Sequence, residues 1–131
     1  MKKNDGNQEH DRSDAAVYSP VPPLKLGTFL LWTIGQRQRF RICGHSMSPT
    51  LAEGQEVLVR AFKPKERPAS GQLLLVRHPT DTELTMIKRC VKIEDGFAWV
   101  QGDNSRASTD SRQFGPVPLH LVLGFVRCTF P

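Results

Sequence analysis

Long apolar runs are what this 131-residue chain most plainly lacks. A spanning helix needs roughly 20 consecutive apolar residues. The most apolar stretch near the N-terminus, residues 24–34, has an uninterrupted core of only Phe29-Leu30-Leu31-Trp32. A membrane-spanning segment is therefore not expected. This stretch reads as a short helix or strand packed on the domain, or alternatively as an interfacial helix resting on a membrane. Arg37, Arg39 and Arg41 follow it, which suits an anionic surface and ordinary solvation equally. No apolar run closely follows Lys2 and Lys3, as a secretory signal peptide would require. Cysteine is scarce: Cys43, Cys90 and Cys128 are odd in number and lack CxxC spacing, which argues against a disulfide framework or a zinc site. Reduced thiols in a soluble, cytoplasmic protein are the simplest reading. His10, His45, His78 and His120 follow no metal-ligand spacing, so neither metal nor cofactor is expected.

What is present is punctuation. Glycine and proline number ten each, which suits a β-rich domain with many turns. The length allows one domain with a modest core. The formal charge of +5 favours solubility and an anionic partner but specifies neither. Residues 1–23 are polar, end in Pro20-Val21-Pro22-Pro23, and read as a disordered tail. From Phe40 onward short runs of branched and aromatic residues suggest strands over 40–43, 55–62, 71–77 and 83–94. Asp95-Gly96 is a hairpin signal, and 97–101 reads as the returning strand. A long polar loop, 102–118, and a final strand, 119–128, follow. The expected architecture is mainly β, a small single-domain barrel or sandwich over 38–131, preceded by the tail and the apolar segment 24–37.

Three stretches carry chemistry. The first is Gly44-His45-Ser46-Met47-Ser48-Pro49-Thr50-Leu51, a turn between two strands. Pro49 fixes its own φ and favours an extended Ser48, so a short hydroxyl can be held rigidly where solvent reaches it. The second is Leu84-Thr85-Met86-Ile87-Lys88-Arg89-Cys90-Val91. In a strand, Lys88 shares a face with Leu84, Met86, Cys90 and Lys92. An ammonium between apolar neighbours is penalised by desolvation, its pKa falls, and a neutral amine can act as base for a serine hydroxyl. The third is the loop from Gly102 to Gly115. Asp103 and Asn104 can build an Asx-type turn there, Ser108 can hydrogen-bond beside an active-site lysine, and Asp110 and Arg112 can pair as a brace. His45 beside Ser46 is expected to line the cleft rather than act as base, because adjacent strand residues point apart.

Taken together, these stretches resemble the type I signal peptidase family of serine proteases. Ser46-Met47-Ser48-Pro49-Thr50-Leu51 is similar to its nucleophile box and Met86-Ile87-Lys88-Arg89 to its lysine box. Gly102-Asp103-Asn104, Ser108, Asp110-Ser111-Arg112 and Phe114-Gly115 are similar to its C-terminal box. The resemblance covers residues 38–127. It implies a Ser/Lys protease with Ser46 as nucleophile, Lys88 as general base, Ser108 orienting the lysine, and Asp110 with Arg112 bracing the site. Gly44 stands where some members add a serine hydroxyl to the oxyanion hole, so backbone amides, including that of Ser46, carry that role. Secretory members have N-terminal spanning helices, and many insert a large β-domain after the lysine box; here only 91–101 separates that box from the Gly-Asp-Asn loop. The short form resembles the nickel-type superoxide dismutase maturation proteases. The implied partner is a precursor protein with an N-terminal leader. Signal-peptide removal at a membrane, with peripheral contact through 24–34, is the alternative.

Two other classes were open on sequence. A self-cleaving Ser/Lys switch needs a scissile bond upstream and usually a DNA-binding module, and residues 1–37 are too short and polar for a helix-turn-helix. A nucleic-acid-binding barrel needs exposed aromatics along a basic groove. Trp32, Trp99 and Phe125 lie in apolar runs that read as core, so no nucleic-acid partner is expected.

Overall fold

Residues 73–76, Leu-Leu-Leu-Val, are apolar without a break, and they sit where a strand is covered on both faces. In the computed structural model, which describes Val21 and residues 38–130, this run is β3 (Leu73–Arg77). Around it are β1 (Gln38–Arg41), β2 (Glu56–Ala61), β4 (Thr85–Glu94), β5 (Phe97–Gln101), β6 (Val117–Pro118) and β7 (Val122–Phe130). All pairings are antiparallel and form one sheet in the order β1-β2-β7-β3-β4-β5-β6. The sheet curls into a half-barrel, so the expectation of a small, mainly β fold holds.

Strand alternation divides the core in two. Leu74 and Val76 join Cys90, Ala98, Val100, Val117 and Phe125 in one cluster. Leu73 and Leu75 join Ile42, Met47, Leu51, Val57 and Val59 in the other. The second cluster lies under the turn that carries Ser46, and half-buried Val21 packs against it. The remaining expectations for residues 1–37, including a disordered tail, the apolar segment and a core Trp32, lie outside the described residues.

Three local readings need correction. The region 102–118 is not structureless. It holds a 3₁₀ turn (Ser105–Ala107), the one-turn helix α1 (Ser111–Phe114) and β6. Asp110 caps α1 by accepting from the Arg112 backbone, while the Gln113 side chain accepts from the Asp110 N–H, a reciprocal capping box. The final strand starts later and ends later than expected, because Leu119–Leu121 forms a 3₁₀ turn before β7. The face-sharing pattern of β4 also fails at its far end. The β4–β5 register slips between Cys90 and Lys92, and exposed Lys92 places its ammonium 5.2 Å from the Trp99 ring centroid. Trp99 is accordingly half-buried rather than core, whereas Phe125 is buried. The Asp95-Gly96 hairpin is present, with positive φ at both residues (53° and 82°), as a two-residue turn of this hand requires.

Candidate active site

The Ser46 turn is a stalked loop. Beyond β1, the Ile42 N–H donates to Gln55 O and the Gly54 N–H to Ile42 O, both at 2.8 Å, so the hairpin continues to the base of the loop. Gly44, at φ 80°, makes the sharp change of direction that a side chain would resist. Ser48 N donates to His45 O and Leu51 N to Met47 O, which winds residues 45–51 into a compact turn. The Ser48-Pro49 peptide is cis. Met47 and Leu51 are completely buried and plug the turn into the core below, leaving Ser46 half-buried above them. His45 departs from expectation. It is exposed, pairs with Glu53 at 3.2 Å, and does not line the cleft.

Lys88 comes from the middle of β4 and is 4% exposed. Its Nζ donates to Ser108 Oγ at 3.1 Å, and that hydroxyl donates in turn to Asp110 Oδ2 at 2.6 Å. Asp110 also accepts from the Gly102 N–H at 2.9 Å and from Arg112 through Nε (2.9 Å) and Nη2 (2.7 Å). Lys88, Ser108, Asp110 and Arg112 thus form one hydrogen-bonded chain. Burial lowers the Lys88 pKa from its ordinary 10.5; the Asp110 charge opposes that shift and Arg112 adds to it. Burial alone would raise Asp110, but the bonds from Arg112, Ser108 and the Gly102 amide outweigh it and hold the carboxyl at about 2.

A second, deeper ion pair lies on the opposite face of β4. Arg89 is 3% exposed and makes a bidentate pair with Asp103, Nε to Oδ1 at 3.2 Å and Nη2 to Oδ2 at 2.7 Å. Arg89 also donates to Gly71 O at 2.9 Å, and Thr50 Oγ1 donates to Asp103 Oδ2 at 2.5 Å. One carboxylate therefore ties the serine turn to the lysine strand. Asn104 adds a second tie, its N–H donating to Ser46 O (2.9 Å) and its Nδ2 to His45 O (3.1 Å). Asp103 and Asn104 thus hold the loop through these long reaches to the serine turn and the lysine strand. Sequence reasoning missed Arg89 and Thr50. The available signal was an arginine next to Lys88, alternating to the far face of a strand, with Asp103 later in the chain, read only as a turn former.

Ser46 and Lys88 line the same cleft, about 380 Å3, together with Phe40, Ile42, Leu75 and Met86. They are not hydrogen-bonded to each other. Among the described residues the Ser46 hydroxyl and the Ser46 N–H have no partner, so both are available to a molecule entering the cleft.

With this geometry in place, the comparisons with known proteins converge. The signal peptidase (peptidase S26) family model matches residues 23–93 and 89–130. The chain belongs to this family. Among similar curated proteins, the mitochondrial ATP-independent inner membrane protease subunit 1b of Arabidopsis thaliana is 34% identical, over 63% of each chain. Mitochondrial inner membrane protease subunit 1 of Mus musculus is 30% identical, over 62% of this chain and 61% of that one. Subunit 2 of the protease from Danio rerio is 31% identical, over 64% and 58%. The chain thus spans less than two thirds of the length of these peptidase S26 relatives. No helix among the described residues is long and apolar enough to cross a membrane.

Proposed function

We propose that this member of the peptidase S26 family is a serine endopeptidase that removes an N-terminal leader from a precursor protein, with Ser46 as nucleophile and Lys88 as general base. The observation that carries the reading is the orientation of Lys88. A neutral amine has two N–H donors and one lone pair. The Ser108 hydroxyl gives its proton to Asp110, so it can only accept from Lys88. Ser108 thereby engages an N–H and leaves the lone pair for the alcohol across the cleft. In the reaction, Lys88 takes the Ser46 proton as Oγ attacks the peptide carbonyl, returns it to the departing amine, and then activates water to hydrolyse the acyl-enzyme. The unengaged Ser46 N–H fits an oxyanion donor, and Gly44 brings no hydroxyl to that task. Catalytic hydrogen bonds often close only around substrate, which accounts for the present lack of a Ser46–Lys88 bond.

The similar mitochondrial inner membrane proteases favour a precursor met at a membrane surface. The short link 91–101 between lysine strand and Gly-Asp-Asn loop favours a nickel superoxide dismutase precursor instead. Incubation with both precursors, followed by mass spectrometry, separates them: the true substrate loses its leader at one bond and the other is left intact. Ser46→Ala and Lys88→Ala should each abolish cleavage by at least about 1,000-fold while the chain stays folded. Wild-type turnover by either variant would sink the assignment.

A further inference from the structure

A second hollow of about 270 Å3 opens beside the Ser46 cleft, lined by Gln38, Phe40, Val59, Leu75, Arg77 and Leu123 among others. Phe40, Leu75 and Thr85 line both, so the two hollows form one furrow. The β3–β4 register gives its span. Lys88 lies opposite Leu74 and Thr85 opposite Arg77. That offset of three residues along β4 is about 10 Å of strand, the length an extended peptide covers in about three residues.

Among the described residues, Arg77 is the one charged residue lining this hollow, beside Phe40, Val59, Ala61, Leu75 and Leu123. It is half-buried, and its Nη1 donates to Thr82 O at 2.8 Å. Other arginines that leave the surface each hold a carboxylate: Arg60 holds Glu66, Arg89 holds Asp103 and Arg112 holds Asp110. Arg77 has no carboxylate within ion-pair distance among the described residues. Most of its five N–H donors are unspent, in a setting where water competes less well than at an open surface. A guanidinium so placed matches a carboxylate supplied from outside the chain.

We propose that the second hollow receives an acidic side chain of the precursor's leader, about three to five residues from the cut bond, with Arg77 as its anchor. The inference rests on the leader-cleaving reading above and adds a selectivity to it. The test uses one cleaved leader peptide carrying Glu, Gln or Lys at each of these positions, with the full chain. Glu at one position should lower KM about tenfold against Gln, Lys should raise it, and kcat should hardly change. Arg77→Gln should level the three peptides, and Arg77→Glu should reverse the order to favour Lys, with kcat on the Gln peptide retained. Equal KM values for the three peptides in the wild type, or an unaltered preference in both variants, overturns the proposal. If no peptide is cut, the leader-cleaving reading fails separately, and fluorescence anisotropy with the same labelled peptides decides the hollow. Tighter binding of the Glu peptide that is lost in Arg77→Gln supports the anchor, and equal binding of all three removes it.

Discussion

At the Lys88 side chain, burial disfavours the ammonium while Asp110, reached through Ser108, favours it, and burial prevails. With the neutral amine as the proposed base, cleavage should rise with pH and reach half its maximum below pH 10.5, the ordinary lysine value. A kcat/KM profile that stays flat through that range, or that falls, contradicts this role. The same shift has a consequence for stability. The unfolded chain binds the Lys88 proton more tightly than the folded one, so at neutral pH the buried ammonium costs folding free energy, and that cost fades as pH rises towards 10.5. Lys88→Met should therefore melt no lower than wild type at pH 7, although it cuts nothing. Differential scanning calorimetry beside an activity assay reads both outcomes. The burial of Lys88 and its lowered pKa were legible in sequence because Met86 and Cys90 flank it at strand spacing. Ser108 was a candidate partner on its chemistry, and the resemblance singled it out from the other serines of the loop.

The elements that hold the site meet at two points, and each gives a prediction. After β5, Gly102 runs so close to its neighbours that a Cβ there would lie 2.2 Å from Ser108 Oγ and 2.6 Å from Ser46 O. Backbone carbonyl atoms cannot yield as the tip of a side chain can. Gly102→Ala should move Ser108 away from Lys88 and destabilise the fold by about 1–3 kcal/mol, with cleavage falling more steeply than stability. Urea titration and kinetics on one preparation check this. The second point is the Arg89–Asp103 pair. Asp103→Ala leaves a buried guanidinium uncompensated and should cost about 3–5 kcal/mol, again read by urea unfolding. Strands and the Asp95-Gly96 turn were legible from alternation and turn chemistry, which are local. The Arg89–Asp103–Thr50 junction was not, since it joins three segments remote in sequence and no local period reports it. The helix α1 escaped notice for a different reason: its single turn is too short for a 3.6-residue period, and only its capping box, Asp110 with Gln113, marks it.

Across the whole molecule, acid should act through Asp110 more than through exposed carboxylates. Its pKa stands at about 2 when folded against 3.8 when free, so its stabilisation is complete above pH 3.8 and is lost as pH falls towards 2. The amount is on the order of 2 kcal/mol. An acid titration of the melting temperature should show this drop, and Asp110→Asn should flatten it. The overall β class was legible because the strands carry branched apolar residues between glycine and proline breaks. The strand order was not, since β7 enters between β2 and β3, a pairing across long separations that composition does not encode.

That central place of β7 governs when the machinery can exist at all. Among the described strands it comes last in the chain, yet within the sheet it is the one that pairs the hairpin bearing the serine turn with the strands bearing the lysine and its partners. Until β7 has paired on both sides, the two half-sheets lack that seam, and the alcohol and the amine rely on the reaches from Asp103 and Asn104 alone. The proposed cutting activity thus depends on a strand that carries neither reacting group, and it is complete only when that strand has closed the sheet from both sides.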